Sequence, residues 1–133
     1  MTEAEAFVRS FIVPRKRARL IELLANPKRR RDVRRTLPHF RDLDPRWIIP
    51  IRSGEHDAQS IERALRRLGA RDFCHVISED RVIDGQQLPL TVALHTVVSS
   101  FTGSLLSRVP GVLAYYEGED LGANCILFRK TAT

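Results

Sequence analysis

The chain has 133 residues, 43% of them hydrophobic, 29% charged and 7% aromatic, with a formal net charge of +6. That length suits one domain, residues 1–133, with its own core, and the composition excludes a disordered or collagen-like chain. No apolar run reaches the roughly 18 residues of a membrane span, and the acidic, amphipathic start MTEAEAFVRS is neither a signal nor a transit peptide, so the expectation is a cytoplasmic protein with no membrane contact.

Charge and backbone punctuation divide the chain near residue 47. Residues 1–50 hold 13 Lys and Arg against 6 Asp and Glu, a net +7, whereas residues 51–133 hold 9 against 10. All seven glycines follow residue 50, and five of the seven prolines precede it or stand there. Proline at helix starts without internal glycine predicts short consecutive helices over 1–46. Regularly spaced glycines between apolar runs predict strands, turns and helices over 47–133.

In chain order, Ala4, Phe7, Val8, Phe11 and Ile12 repeat at helical spacing and predict a first helix over 3–13, capped by Thr2 and interrupted by Pro14. A second helix over 15–25 turns Leu20, Ile21, Leu23 and Leu24 inward. Asn26 caps a third helix over 27–36, with Pro27 at its first position and Val33 and Leu37 facing inward. Trp47–Ile51 reads as a strand that Pro50 pushes to an edge. His56–Leu68 reads as a helix stopped by Gly69, Phe73–Ile77 as a strand, and Asp84-Gly85 as a turn. Pro89 opens a helix with Leu90, Leu94, Val97, Val98 and Phe101 on one face, ended by Gly103. Strands over 104–109, 112–117 and 125–129 follow, the first two joined by a Pro110-Gly111 turn. The fold class is therefore α+β. An N-terminal segment of about three helices packs with a small mixed sheet of order β-α-β-α-β-β-β. Strand–helix–strand units favour parallel crossovers, and the last strands favour antiparallel pairing.

The strongest functional signal is the basic stretch 15–35, with 10 basic and 2 acidic residues. Arg15, Lys16, Arg19, Lys28, Arg29, Arg30, Arg31, Arg34 and Arg35 form the candidate anion-binding set. Lys28–Arg31 fall in the predicted first turn of helix three. There the macrodipole disfavours cations, and a phosphate would relieve the strain. The expected partner is nucleic acid, either duplex DNA or structured RNA, met through arginine–phosphate contacts. No aromatic residue lies between Val13 and Phe40, so the run has no stacking platform for single strands. Asn26-Pro27 leaves almost no turn, which argues against a helix-turn-helix. Three of the 22 basic residues are lysine, and so strong an arginine bias also arises from codon usage. A solvated surface, or pairing with Glu117, Glu119 and Asp120 within the chain or across a homodimer, explains the run equally simply.

Other chemistry is sparse. Cys74 and Cys125 sit in apolar stretches and read as reduced core thiols. No pair among His39, His56, His75 and His95 has metal-ligand spacing on a helix, and no metal or cofactor is expected. In HFRDLD, Asp42 or Asp44 reads as a loop cap before Pro45. SSFTGS lacks the glycines and lysine of a phosphate loop. One of Tyr115 and Tyr116 should face the core and the other solvent or an interface. Glu79, Asp80, Asp84, Glu117, Glu119 and Asp120 suggest an acidic rim. The leading expectation is a non-enzymatic protein with an Arg-rich helical binding surface. A protein–protein or homodimeric module is the first alternative. The second is an enzyme assembled from scattered residues such as His75, Tyr116 and Glu117.

Overall fold

The computed structural model describes residues 2–100, 102–109, 111–120 and 123–129. Phe101 and Pro110, invoked above for a helix face and a turn, lie outside the described residues. Among these residues, five helices are α1 (Glu3–Phe11), α2 (Arg17–Ala25), α3 (Arg30–Arg34), α4 (Ala58–Arg67) and α5 (Leu90–Val97). The strands described are β1 (Ile48–Pro50), β2 (Phe73–Ser78), β3 (Gln87–Pro89), β4 (Ser104–Val109), β5 (Leu113–Glu117) and β6 (Cys125–Phe128). Short 3-10 turns at Pro14–Lys16, Leu37–His39 and Pro45–Trp47 each use a proline in the first two positions, where its missing N–H costs nothing.

The strands form one sheet in the order β1-β6-β5-β4-β2-β3, and every neighbouring pair is antiparallel. The expected mixed sheet is thus corrected. The helices α4 and α5 do join strands of like direction, β1 to β2 and β3 to β4, but other strands lie between the members of each pair. One strand, β2, separates β3 from β4, and three separate β1 from β2. Each intervening strand pairs antiparallel on both sides, so the direction of a crossover did not decide which strands would touch. β3 is an additional strand. Gly85 takes a positive φ of 79° and sends its N–H back to the Val76 carbonyl, closing the β2–β3 hairpin. Gln87–Pro89 then pairs with residues 73–75.

Helices cover both faces. Phe7, Val8, Phe11, Ile12, Leu20, Val33 and Leu37 pack on Ile77, Leu105, Ala114, Tyr116, Cys125 and Leu127. On the other face, Ile61, Leu65, Leu90, Leu94 and Val97 pack on Cys74, Val76, Leu106, Leu113, Tyr115 and Ile126. Alternation along a strand sends successive side chains to opposite faces. Here both faces are dry, so Tyr115 and Tyr116 are both buried. The expectation of one exposed tyrosine fails because the basic helices form a layer over the sheet. The two thiols are buried, are not joined as a disulfide, and belong to opposite faces.

Local signals hold at several ends. The Thr2 hydroxyl accepts the Glu5 N–H at 3.0 Å, and Asp57 accepts that of Ser60 at 2.8 Å. Gly69, at φ 105°, follows α4. Helix α5 instead stops at Val97, before Gly103; Val98 is extended and Ser99 has φ 63°. Gly103 serves a close approach, because a Cβ there would collide with the backbone of Leu37 and Pro38. No helix among the described residues is long and apolar enough to cross a membrane.

Candidate functional site

The basic stretch occupies the outer side of the helical layer. Leu20 and Val33 are the buried residues of α2 and α3, so most remaining positions of these helices point outward. Arg15 and Lys16 end the Pro14–Lys16 turn, and Arg19 lies on α2. Lys28 and Arg29 precede α3, Arg30, Arg31 and Arg34 lie on it, and Arg35 caps it. Helix α2 packs against both α1 and α3, which puts these residues in one layer.

The structure divides the nine. Arg30 forms a two-pronged pair with Asp84, with Nε to Oδ2 at 2.7 Å and Nη2 to Oδ1 at 2.9 Å. Arg34 approaches the same carboxylate at 3.8 Å. Asp84 also accepts the Ser78 N–H at 3.0 Å, so this carboxylate ties α3 to the end of β2. Arg30 and Arg34 are structural anchors, and the expectation that Asp84 belongs to a solvated acidic rim is corrected. Arg29 pairs with Asp32 at 3.2 Å, both being about half exposed, an arrangement that contributes little. Arg15, Lys16, Arg19, Lys28, Arg31 and Arg35 are exposed and make no ion pair among the described residues.

The physical basis of the surface also changes. Helix α3 begins at Arg30 and has 5 residues, so Lys28 and Arg29 are not in its first turn. The Asn26 side chain accepts the Lys28 N–H, and the Asn26 carbonyl accepts those of Arg29 and Arg30. The Lys28, Arg29 and Arg30 N–H groups, expected to meet a phosphate, are therefore already bonded. What remains is a concentration of unpaired side-chain charge.

The acidic residues near the chain's end do not neutralise this run within the described residues. His39 lies 3.0 Å from both Glu119 and Asp120; the Asp120 hydrogen bond and charge raise its pKa. Glu117 is buried and accepts the Tyr115 hydroxyl at 2.6 Å, the Asn124 side chain and the Ser99 N–H. Burial raises its pKa despite these donors. Beside it in register, Ser104 shares a 2.7 Å hydrogen bond with Ser78. These groups form a polar strip inside the α4–α5 side of the core.

No single site gathers His75, Tyr116 and Glu117. Glu117 bonds to Tyr115 on the α4–α5 side, while Tyr116 faces α1–α3 and donates its hydroxyl to the Leu37 carbonyl at 2.5 Å. His75 sits near the β3 end of the sheet, 3.7 Å from Glu3, with its pKa lowered by burial. Burial pushes Cys125 up to about 12, far from an activated thiolate. Asp44 caps the Pro45–Trp47 turn through the Arg46 N–H, and the Arg46 side-chain hydrogen bond lowers its pKa. Among the described residues no group of three His, Cys, Asp or Glu is arranged to hold a metal. Both sheet edges are three residues long and end in proline, Pro50 on β1 and Pro89 on β3, which restricts edge-to-edge pairing.

Sequence reasoning missed the Asp84 anchor and the burial of Glu117. The first joins residues 54 positions apart and has no local signal. The second had one: Glu117 alternates in phase with Leu113 and Tyr115, which places it on a face that proved dry. No family model, curated protein or solved structure matches the chain.

Proposed function

We propose that this protein binds nucleic acid, as duplex or structured RNA or DNA, through Arg15, Lys16, Arg19, Lys28, Arg31 and Arg35 on the outer side of the helical layer. The observation that carries this reading is the segregation of charge. Six exposed cations without a carboxylate partner among the described residues lie within 21 residues, whereas the residues that follow position 50 are nearly neutral. Arginine forks meet phosphate oxygens in two-pronged geometry. Binding of this kind follows the backbone and releases counterions. The lack of aromatics between Val13 and Phe40 favours paired backbones over splayed bases.

The test is fluorescence anisotropy with duplex DNA and a structured RNA over a salt series. Affinity should fall with a log–log slope of roughly −0.9 per DNA phosphate contacted. The triple variant Arg19→Glu, Arg31→Glu, Arg35→Glu should lose most of the binding and flatten the slope. These residues are chosen because Arg30 holds the fold. Arg63→Glu, Arg67→Glu, Arg71→Glu, exposed on α4 and in the loop after it, makes the same change in net charge and should bind nearly as the wild type does. Equal loss in both variants, or no binding by the wild type near physiological salt, sinks the reading.

A further inference from the structure

A cavity of about 420 Å³ opens where α1, α2 and α3 meet the β2–β3 edge of the sheet. Its volume falls in the range of small-molecule sites, roughly 300–1,000 Å³. Ile21 and Leu24 of α2 give it an apolar wall, while Glu3 of α1, Arg30 of α3, His75 of β2 and Gln87 of β3 bring polar groups from four different elements.

These groups retain free hydrogen-bonding capacity. Asp84 occupies Nε and Nη2 of Arg30 and leaves Nη1 without a hydrogen bond among the described residues. The same contact locks the guanidinium plane, so little side-chain freedom remains to be lost when a ligand docks. Two arginines share Asp84, so the three-residue cluster keeps one net positive charge. The Gln87 amide makes no side-chain hydrogen bond among the described residues and offers both donors and an acceptor. Glu3 stands 3.7 Å from His75, beyond hydrogen-bond length, and burial keeps that imidazole toward its neutral form. Glu3 thus contributes an anion on α1 with no closer ion-pair partner among the described residues, and Arg30 a fixed cation on α3.

We infer that this cavity binds a small zwitterion with an apolar side chain, of the α-amino-acid class, its carboxylate on Arg30 and Gln87, its ammonium on Glu3, and its side chain against Ile21 and Leu24. A simple anion would meet the Glu3 charge, and a simple cation would meet Arg30. Only a ligand bearing both charges satisfies both walls. This site is independent of the nucleic-acid surface, because Arg30 is not one of the six free cations.

The experiment is calorimetric titration of the full chain at neutral pH with L-leucine, 4-methylpentanoate, which lacks the ammonium, and isoamylamine, which lacks the carboxylate. Leucine should bind with saturation below about 10 mM, and each fragment should bind at least tenfold more weakly. Glu3→Gln and Gln87→Ala, both at exposed or half-exposed positions, should each weaken leucine binding several-fold with an unchanged unfolding midpoint. Arg30→Lys should do the same if it still folds; if it does not, the other two variants decide. No heat with leucine, a fragment that equals leucine, or unchanged binding in Glu3→Gln would overturn the inference.

Discussion

Glu117 shows how one buried side chain sets a pH dependence. Its carboxylate accepts three donors, yet burial still raises its pKa above the ordinary 4.5. The folded protein therefore holds this proton more tightly than the unfolded chain. Its contribution to stability is complete below the unfolded pKa and is lost as pH rises through the folded one. Asp44 has the opposite sign. The Arg46 hydrogen bond lowers its pKa, so its contribution is present above the ordinary carboxyl range and is lost as pH falls. The window in which the Glu117 effect acts opens at its ordinary 4.5 and lies above it, where the Asp44 contribution is already in place. The urea midpoint of the wild type should decline across that window, and that of Glu117→Gln should decline less. Parallel profiles would show that Glu117 titrates normally.

Helix α3 is the shortest of the five helices described and is held by little. It has 5 residues and one buried side chain, Val33, and so short a helix is not stable alone. Asp84 compensates by drawing Arg30 and Arg34 onto the end of β2. Asp84→Asn keeps the shape and removes the charge. It should destabilise the protein by about 1–3 kcal/mol, the range for charge-assisted hydrogen bonds at part-buried sites, measured by urea unfolding. It should also increase exchange of the Arg34 and Arg35 amides ahead of those in β4. A change below about 0.5 kcal/mol, the level of an ordinary surface substitution, would mean that Val33 alone holds the helix.

For the whole molecule, the charge asymmetry has a cost in the free protein. Like charges crowded on one layer repel, and that repulsion is screened by salt. The unfolding temperature should therefore rise as ionic strength increases from about 0.01 to 0.1 M, where the Debye length shortens from about 30 to 10 Å. Arg19→Glu, Arg31→Glu, Arg35→Glu should start higher at low salt and respond less. A wild type insensitive to salt would show that the six cations are too far apart to interact. In that case they would present a weaker field to a phosphate backbone as well.

The sequence by itself determined what depends on near neighbours. The Thr2 cap, the stop at Gly69, the Asp84-Gly85 turn and the edge position of β1 follow from side-chain geometry over a few residues, whereas Asn26 closes the turn before α3 and does not cap that helix. The apolar stripe of α1 and the outward basic faces follow from helical periodicity. The α+β class was legible for the same reason. Tertiary structure alone decided what depends on partners distant in the chain. Crossover connections fix strand direction but not neighbours, so the antiparallel order could not be read from β-α-β spacing. Tyr116 and Glu117 became buried because helices from both halves of the chain cover the sheet. Arg30 and Arg31 are adjacent and chemically alike, yet one is an anchor and the other pairs with no carboxylate among the described residues. Asp84, 54 residues away from Arg30, makes that difference, because an ion pair depends on distance in space and not on separation along the chain.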